Sequence, residues 1–280
     1  MKARVQPISA ATNMKYGIGE FFGFGGYQRT AEGYMSWQHL LFVSSLVCVM
    51  FVCAILIGRR NRNLTPDKQN RAVAVAAILI DAIEIFKLVI LTLRSGEANS
   101  LLYNLPLFLC SIQLIALPMA AFCKGRIKEA SLDFVAIFGL LGALLGTYFA
   151  GQNYGCYPVL SIDNVASGVT HCIAGFGSLY VLITRMAGMK KKNIPVTAAI
   201  LGGFCVMAFT ANQLLDYNYM FLRRGDGTPY DIFYNLVNGN QVLYPIIVVG
   251  LFVLYIMLFY HGYYAVQSIR EKNREKAKKA

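Results

Sequence analysis

The sequence predicts an all-α, polytopic membrane bundle of about seven transmembrane helices, with the N-terminus outside and the C-terminus inside. Three observations carry this expectation. Of the 280 residues, 56% are hydrophobic and only 14% are charged, whereas soluble chains run near ~25% charged. Seven apolar stretches of spanning length stand at about 37–58, 72–93, 101–122, 132–151, 165–184, 196–215 and 240–262. The basic residues between them are abundant in one loop and scarce in the next. A disordered chain is excluded by this composition. The net charge of +12 would suggest nucleic acid in a soluble protein. Here it belongs to loops and tail, and no nucleic-acid partner is expected.

Residues 1–36 read as an interfacial N-terminal arm. They lack the apolar core of a cleavable signal peptide, so the first span is expected to act as the targeting signal. The stretch GIGEFFGFGG at 17–26 is Gly-rich like a phosphate loop. No strand precedes it and no GK[ST] follows, so the dinucleotide and P-loop readings fail. Aromatic residues and glycines beside a span suit an interfacial turn or short helix. The loop after the first span carries Arg59, Arg60, Arg62, Lys68 and Arg71, and the loop after the second only Arg94. Lys124, Arg126 and Lys128 follow the third span, and the loop after the fourth has no basic residue. Arg185, Lys190, Lys191 and Lys192 follow the fifth, Arg223 and Arg224 the sixth. The tail adds Arg270, Lys272, Arg274, Lys276, Lys278 and Lys279, giving 18 basic residues on one side and 3 on the other. The arm has four basic residues of its own, but only Arg29 lies close enough to the first span to oppose export. The expected layout is the arm, one membrane domain over 37–262 without internal repeats, and a basic cytoplasmic tail over 263–280, in the cell membrane. The fourth span is Gly-rich, which suits close helix packing in lipid.

Ionisable groups within a span are costly and mark function by default. The second span holds Asp81, Glu84 and Lys87; the third holds Cys110 and Gln113; the fifth holds His171. His39 opens the first span, Asn212 closes the sixth and Tyr244 opens the seventh. At helical rise, Cys110 and Glu84 come ~13 Å below the outer end of their spans, and His171 and Lys87 ~9 Å. His39, Asn212 and Tyr244 come within ~3–6 Å. Polar groups from six spans at one level imply a polar cavity opening toward the outer leaflet. Glu84 and Lys87 either neutralise each other or bind substrate; Gln113, His39, Asn212 and Tyr244 are the other expected substrate-binding groups, with His39 at the rim.

A thiol and an imidazole at one depth form a minimal nucleophile–base pair. Histidine can take the thiol proton, and the thiolate can accept an acyl group as a thioester. Lys87, Gln113 or Asn212 could stabilise the oxyanion. The seven cysteines are scattered without CxxC or Cys/His ligand spacing, so no disulfide framework, metal or cofactor is expected. Cys48, Cys53, Cys123 and Cys205 read as packing, and Cys172 points ~100° away from His171. Two functions fit the cavity: a lipid acyltransferase drawing on membrane lipids and a fatty acyl donor, or a transporter or substrate-capturing component without catalysis. The absence of repeats and the off-centre cluster favour the enzyme. The oligomeric state is not legible.

Leu105-Pro106-Leu107-Phe108-Leu109-Cys110, Ser111-Ile112 and Leu117-Pro118 resemble the YwaF family of bacterial membrane proteins. So do Glu84 with Lys87, YPVLS over 157–161 before His171, Asn218 to Leu222, Tyr244-Pro245 and His39, in order from about 35 to 262. That family is similar to the animal transmembrane protein 164 group of acyltransferases. The resemblance implies Cys110 as acyl acceptor and His171 as base. One departure is Phe108, where the family often has histidine.

Overall fold

A computed structural model describes residues 18–97, 101, 102 and 104–279. The arm's Lys2, Arg4 and Lys15 lie outside the described residues. The described residues form ten α-helices and no strand. Five stretches are long and apolar enough to cross a membrane: Trp37–Asn61 (α2), Gly125–Cys156 (α5, Gly125–Tyr148, with the short α6, Gly151–Cys156), Ile162–Ile183 (α7), Lys191–Leu215 (mainly α8, Ile194–Leu215) and Leu243–Asn273 within α10, Leu243–Lys279. The chain is a multi-pass helical membrane protein. Its outward faces are apolar, with Leu56, Val206 and Leu258 each at least 60% exposed.

Local chemistry sets the helix ends. Ser36 and Ser161 cap α2 and α7, their hydroxyls accepting from the backbone N–H of His39 and Asn164. α3, Pro66–Ser95, starts on a proline and stops at Gly96, whose positive φ of 70° needs no Cβ. α3 is long enough to span at ~45 Å, but Asp81, Glu84 and Lys87 interrupt its apolarity.

The third expected span, 101–122, is not one helix. Its longest helical stretch is Leu109–Phe122, a 3₁₀ turn (Leu109–Ile112) leading into α4 (Gln113–Phe122), while residues 101 and 102 are separately in 3₁₀ conformation. Pro106 lacks a donor and disfavours helix at Leu105. The chain therefore runs non-helically over 104–108, and the extended φ and ψ of Phe108 precede the turn. The seventh segment also differs. Its helix begins at Leu243 and continues unbroken into the tail as far as Lys279.

Hydrogen bonds define two ends of the bundle. At one, the arm end, Arg94 at the close of α3 grips Asp163 at the start of α7 with both guanidinium Nη atoms, at 2.8 and 2.9 Å. Tyr27 of the arm donates to the same carboxylate at 2.5 Å. Glu32 accepts from the Val159 N–H at 2.7 Å. The arm, with its short α1 (Ile18–Phe22), thus straps the end of α3 to the start of α7. At the opposite, basic end, Asn70 Nδ2 donates to the Ala121 carbonyl at 2.8 Å and Asn61 to the Tyr180 hydroxyl at 3.0 Å. Buried Asp133 there accepts from Met189 N–H, Asn193 and Tyr260, each at 2.9 Å.

The centre is α5 packed on α7 through small residues. A Cβ at Gly139 would fall 2.5 Å from the Ala174 carbonyl oxygen, and one at Gly175 2.7 Å from the Ala143 Cβ. With little hydrophobic driving force between helices in lipid, such backbone approach supplies the contact.

Candidate functional site

The site lies where the non-helical third segment meets this small-residue seam. Cys110 sits in the first turn of the Leu109–Phe122 helix. The Ser111 N–H donates to the Phe108 carbonyl at 2.9 Å, the N–H groups before it at the helix start lack intrahelical partners, and the positive end of the helix dipole stabilises negative charge. α5 passes directly beneath. A Cβ at Gly142 would stand 3.6 Å from both Cα and Cβ of Cys110, and one at Gly146 only 2.0 Å from Nε2 and Cδ2 of His171. Residues four apart share a helix face, so one face of α5 carries both clearances.

Cys110 and the His171 imidazole thus stand over successive turns of the same α5 face, close enough to interact electrostatically, with no hydrogen bond joining them. The other ring nitrogen fixes the tautomer. Nδ1 lies 2.7 Å from the Ser167 carbonyl oxygen, which can only accept, so Nδ1 carries the proton. Nε2 is then the bare nitrogen; it is buried and makes no completed hydrogen bond. Lys87 is in Coulombic range of this ring and is paired with Glu84 at 2.7 Å, their side chains 18% and 12% exposed. Gln113 lies one turn beyond Cys110, fully buried, with neither its Nε2 nor its Oε1 hydrogen-bonded. A buried amide without a partner is costly unless something else binds it.

Other expected site residues have structural duties. His39 is buried rather than at a rim. Its Nδ1 accepts from Met35 N–H at 3.2 Å, its Nε2 donates to the Thr147 carbonyl at 3.1 Å, and its ring packs on Tyr154 with centroids 3.9 Å apart. Asn212 both donates to the Tyr219 carbonyl and accepts from its N–H, at 3.0 and 2.5 Å. Tyr244 is buried edge-on to Tyr234, its hydroxyl without a hydrogen bond. Depth along separate helices therefore groups residues that the fold gives different partners. The depth reckoned for Cys110 also presumed one continuous helix from 101, whereas the chain is non-helical over 104–108. A separate polar cleft of about 340 Å³ at the arm end is lined by Gln213, Arg223, Arg224, Tyr234 and Gln241. Among the described residues no cluster of three or more His, Cys, Asp or Glu is arranged to hold a metal.

Phe108, two residues before the thiol, packs against Tyr219 and Phe221 at centroid distances of 5.4 and 6.0 Å. The sequence reading missed Gly146, Ser167 and the Arg94–Asp163 grip. A glycine run marks α5 as tightly packed, but no periodicity says which glycine faces the ring.

The model of the TMEM164 family matches residues 34–263. No curated protein and no solved structure matches the chain.

Proposed function

The chain belongs to the TMEM164 family, and from that premise we propose that it is a membrane acyltransferase working through a Cys110 thioester. The observation that carries this reading is the bare, buried Nε2 of His171 on the same α5 face as a thiol at a helix N-terminus. Nε2 takes the thiol proton, and the thiolate attacks the carbonyl carbon of a lipid ester. Gln113 Nε2 and the Cys110 backbone N–H at the helix start donate to the oxyanion. The tetrahedral species collapses, the C–O bond breaks, and the leaving alkoxide takes the proton back from Nε2. The acyl chain remains on sulfur. An acceptor hydroxyl then loses its proton to Nε2 and attacks the thioester, the C–S bond breaks, and the leaving thiolate takes that proton back from Nε2 as the thiol. Donor and acceptor arrive laterally from the bilayer. Lys87, held by Glu84, contributes positive field beside the ring.

We further propose seven crossings in the cell membrane, N-terminus outside and C-terminus cytoplasmic. The loop-charge split of 18 to 3 supports it.

The test is to incubate the purified full chain with an alkyne-bearing fatty acyl ester and look for a hydroxylamine-sensitive adduct. Wild type should carry it on Cys110. Cys110→Ala should carry none while remaining folded, and His171→Ala should form it about 10²–10⁴ times more slowly, the usual worth of a positioned general base. An adduct undiminished in Cys110→Ala sinks the thioester.

A further inference from the structure

Apart from that site, α2, α3 and α7 enclose a lateral groove of about 470 Å³. Its walls are apolar, among them Val49 and Ile57 of α2, Val75 and Leu79 of α3, and Phe176 of α7; the one charged side chain lining it is Arg71. Val49, Val75 and Leu79 are 60%, 56% and 48% exposed, so the groove opens sideways from the bundle. Around its Arg71 end stand Arg59, Arg60, Arg62 and Lys68, all exposed. None of these five cations forms an ion pair among the described residues.

We infer that the groove holds one acyl chain of an anionic phospholipid whose headgroup rests on Arg71 and the α2–α3 loop. A polar ligand would find almost nothing to hydrogen-bond along these walls and would lose its hydration. A hydrocarbon chain loses nothing there. The lining from Leu46 to Ile57 runs ~16 Å along α2, close to one leaflet's half of the ~30 Å hydrocarbon core. Any membrane lipid could enter on apolar grounds alone. The unpaired basic collar adds selection by charge, each Lys or Arg near a membrane surface strengthening anionic binding about fivefold. The inference requires the protein to be embedded in a bilayer but does not depend on the thioester chemistry.

The probe is fluorescent phosphatidylglycerol binding to the full chain in detergent, competed by unlabelled phosphatidylglycerol or phosphatidylcholine of the same acyl composition. Phosphatidylglycerol should compete at least fivefold better. Raising salt from about 0.05 to 0.5 M should erase most of that preference by screening the collar. Arg71→Gln should weaken phosphatidylglycerol binding about fivefold and phosphatidylcholine little. Val75→Trp, which fills the groove from its open side, should weaken both while leaving the thermal midpoint unchanged. Equal competition by the two lipids, or a Val75→Trp protein that binds like wild type, overturns the proposal. So does displacement of the probe by inorganic phosphate, which would mark a headgroup site without the groove. Loss of binding through formation of a dimer would assign the groove to a second copy of the chain instead.

Discussion

At the scale of single residues, two histidines show how partners decide a role. His39 gives its Nε2 proton to the Thr147 carbonyl and uses Nδ1 to accept from Met35. His171 gives its Nδ1 proton to Ser167 and keeps Nε2 bare. The same side chain is a strut with both nitrogens used in one place and leaves one nitrogen bare in the other. The sequence marks both as polar groups in apolar surroundings but cannot assign them, because the acceptor carbonyl of Ser167 and that of Thr147 carry no residue-type signal. The clearance under His171 is equally silent in sequence. It yields a prediction. A methyl at Gly146 lands 2.0 Å from the ring, whereas one at Gly142 makes ordinary contact at 3.6 Å with Cys110. Overpacking of this kind costs about 1–3 kcal/mol, and displacing a catalytic group by ~1 Å can cost about 100-fold in rate. Gly146→Ala should therefore slow the Cys110 adduct about 100-fold, and Gly142→Ala no more than tenfold, with both proteins folded by thermal scan. Equal rates for the two would remove the ring's position from the mechanism.

At the scale of elements, α3 is the helix whose charges need explanation. Glu84 and Lys87 are three residues apart on one face and meet at 2.7 Å, a pairing legible from spacing alone. Breaking a desolvated pair by removing one partner costs about 3–5 kcal/mol, while removing both is far milder. Lys87→Met should accordingly lower the thermal midpoint more than Lys87→Met with Glu84→Gln; simple additivity would deny the pair. The capped starts of α2 and α7 and the Gly96 stop of α3 are similarly readable, since each rests on a local side chain or dihedral. The break in the third segment is not readable from hydropathy, which sums side-chain apolarity and ignores the donor that Pro106 lacks. Nor is the extension of α10, because its tail is polar yet built of strong helix formers such as Glu, Lys and Ala. The grip of Arg94 on Asp163 joins residues 69 apart in sequence. A single sequence holds no signal for such a pairing.

At the scale of the whole molecule, the broken third segment decides the topology. The Leu109–Phe122 helix is only ~21 Å long, short of a ~30 Å hydrocarbon core. If it dipped in and returned, every loop after it would change sides and the 18-to-3 charge split would lose its meaning. The hydrogen bonds argue otherwise. Near its start, the Leu102 carbonyl accepts from the Tyr219 hydroxyl, at the arm end beyond α8. Near its finish, the Ala121 carbonyl accepts from Asn70 and from Lys128, at the basic end. The segment thus runs from one end of the bundle to the other. Its non-helical part covers the distance that the short helix leaves, since extended chain advances ~3.3 Å per residue. Backbone of this kind is tolerated at membrane depth only where protein surrounds it, and Leu105, Leu107 and Phe108 pack on the main core. Reporter fusions after Gly96 and Lys128 should therefore fall on opposite sides, Gly96 outside and Lys128 in the cytoplasm. Fusions after Arg60, Lys191 and Arg274 should agree with Lys128, and those after Gln152 and Gly227 with Gly96. Gly96 and Lys128 on the same side would make the segment re-entrant and leave six crossings. Cys110 would then still face His171, but the bundle's two termini would share one side of the membrane.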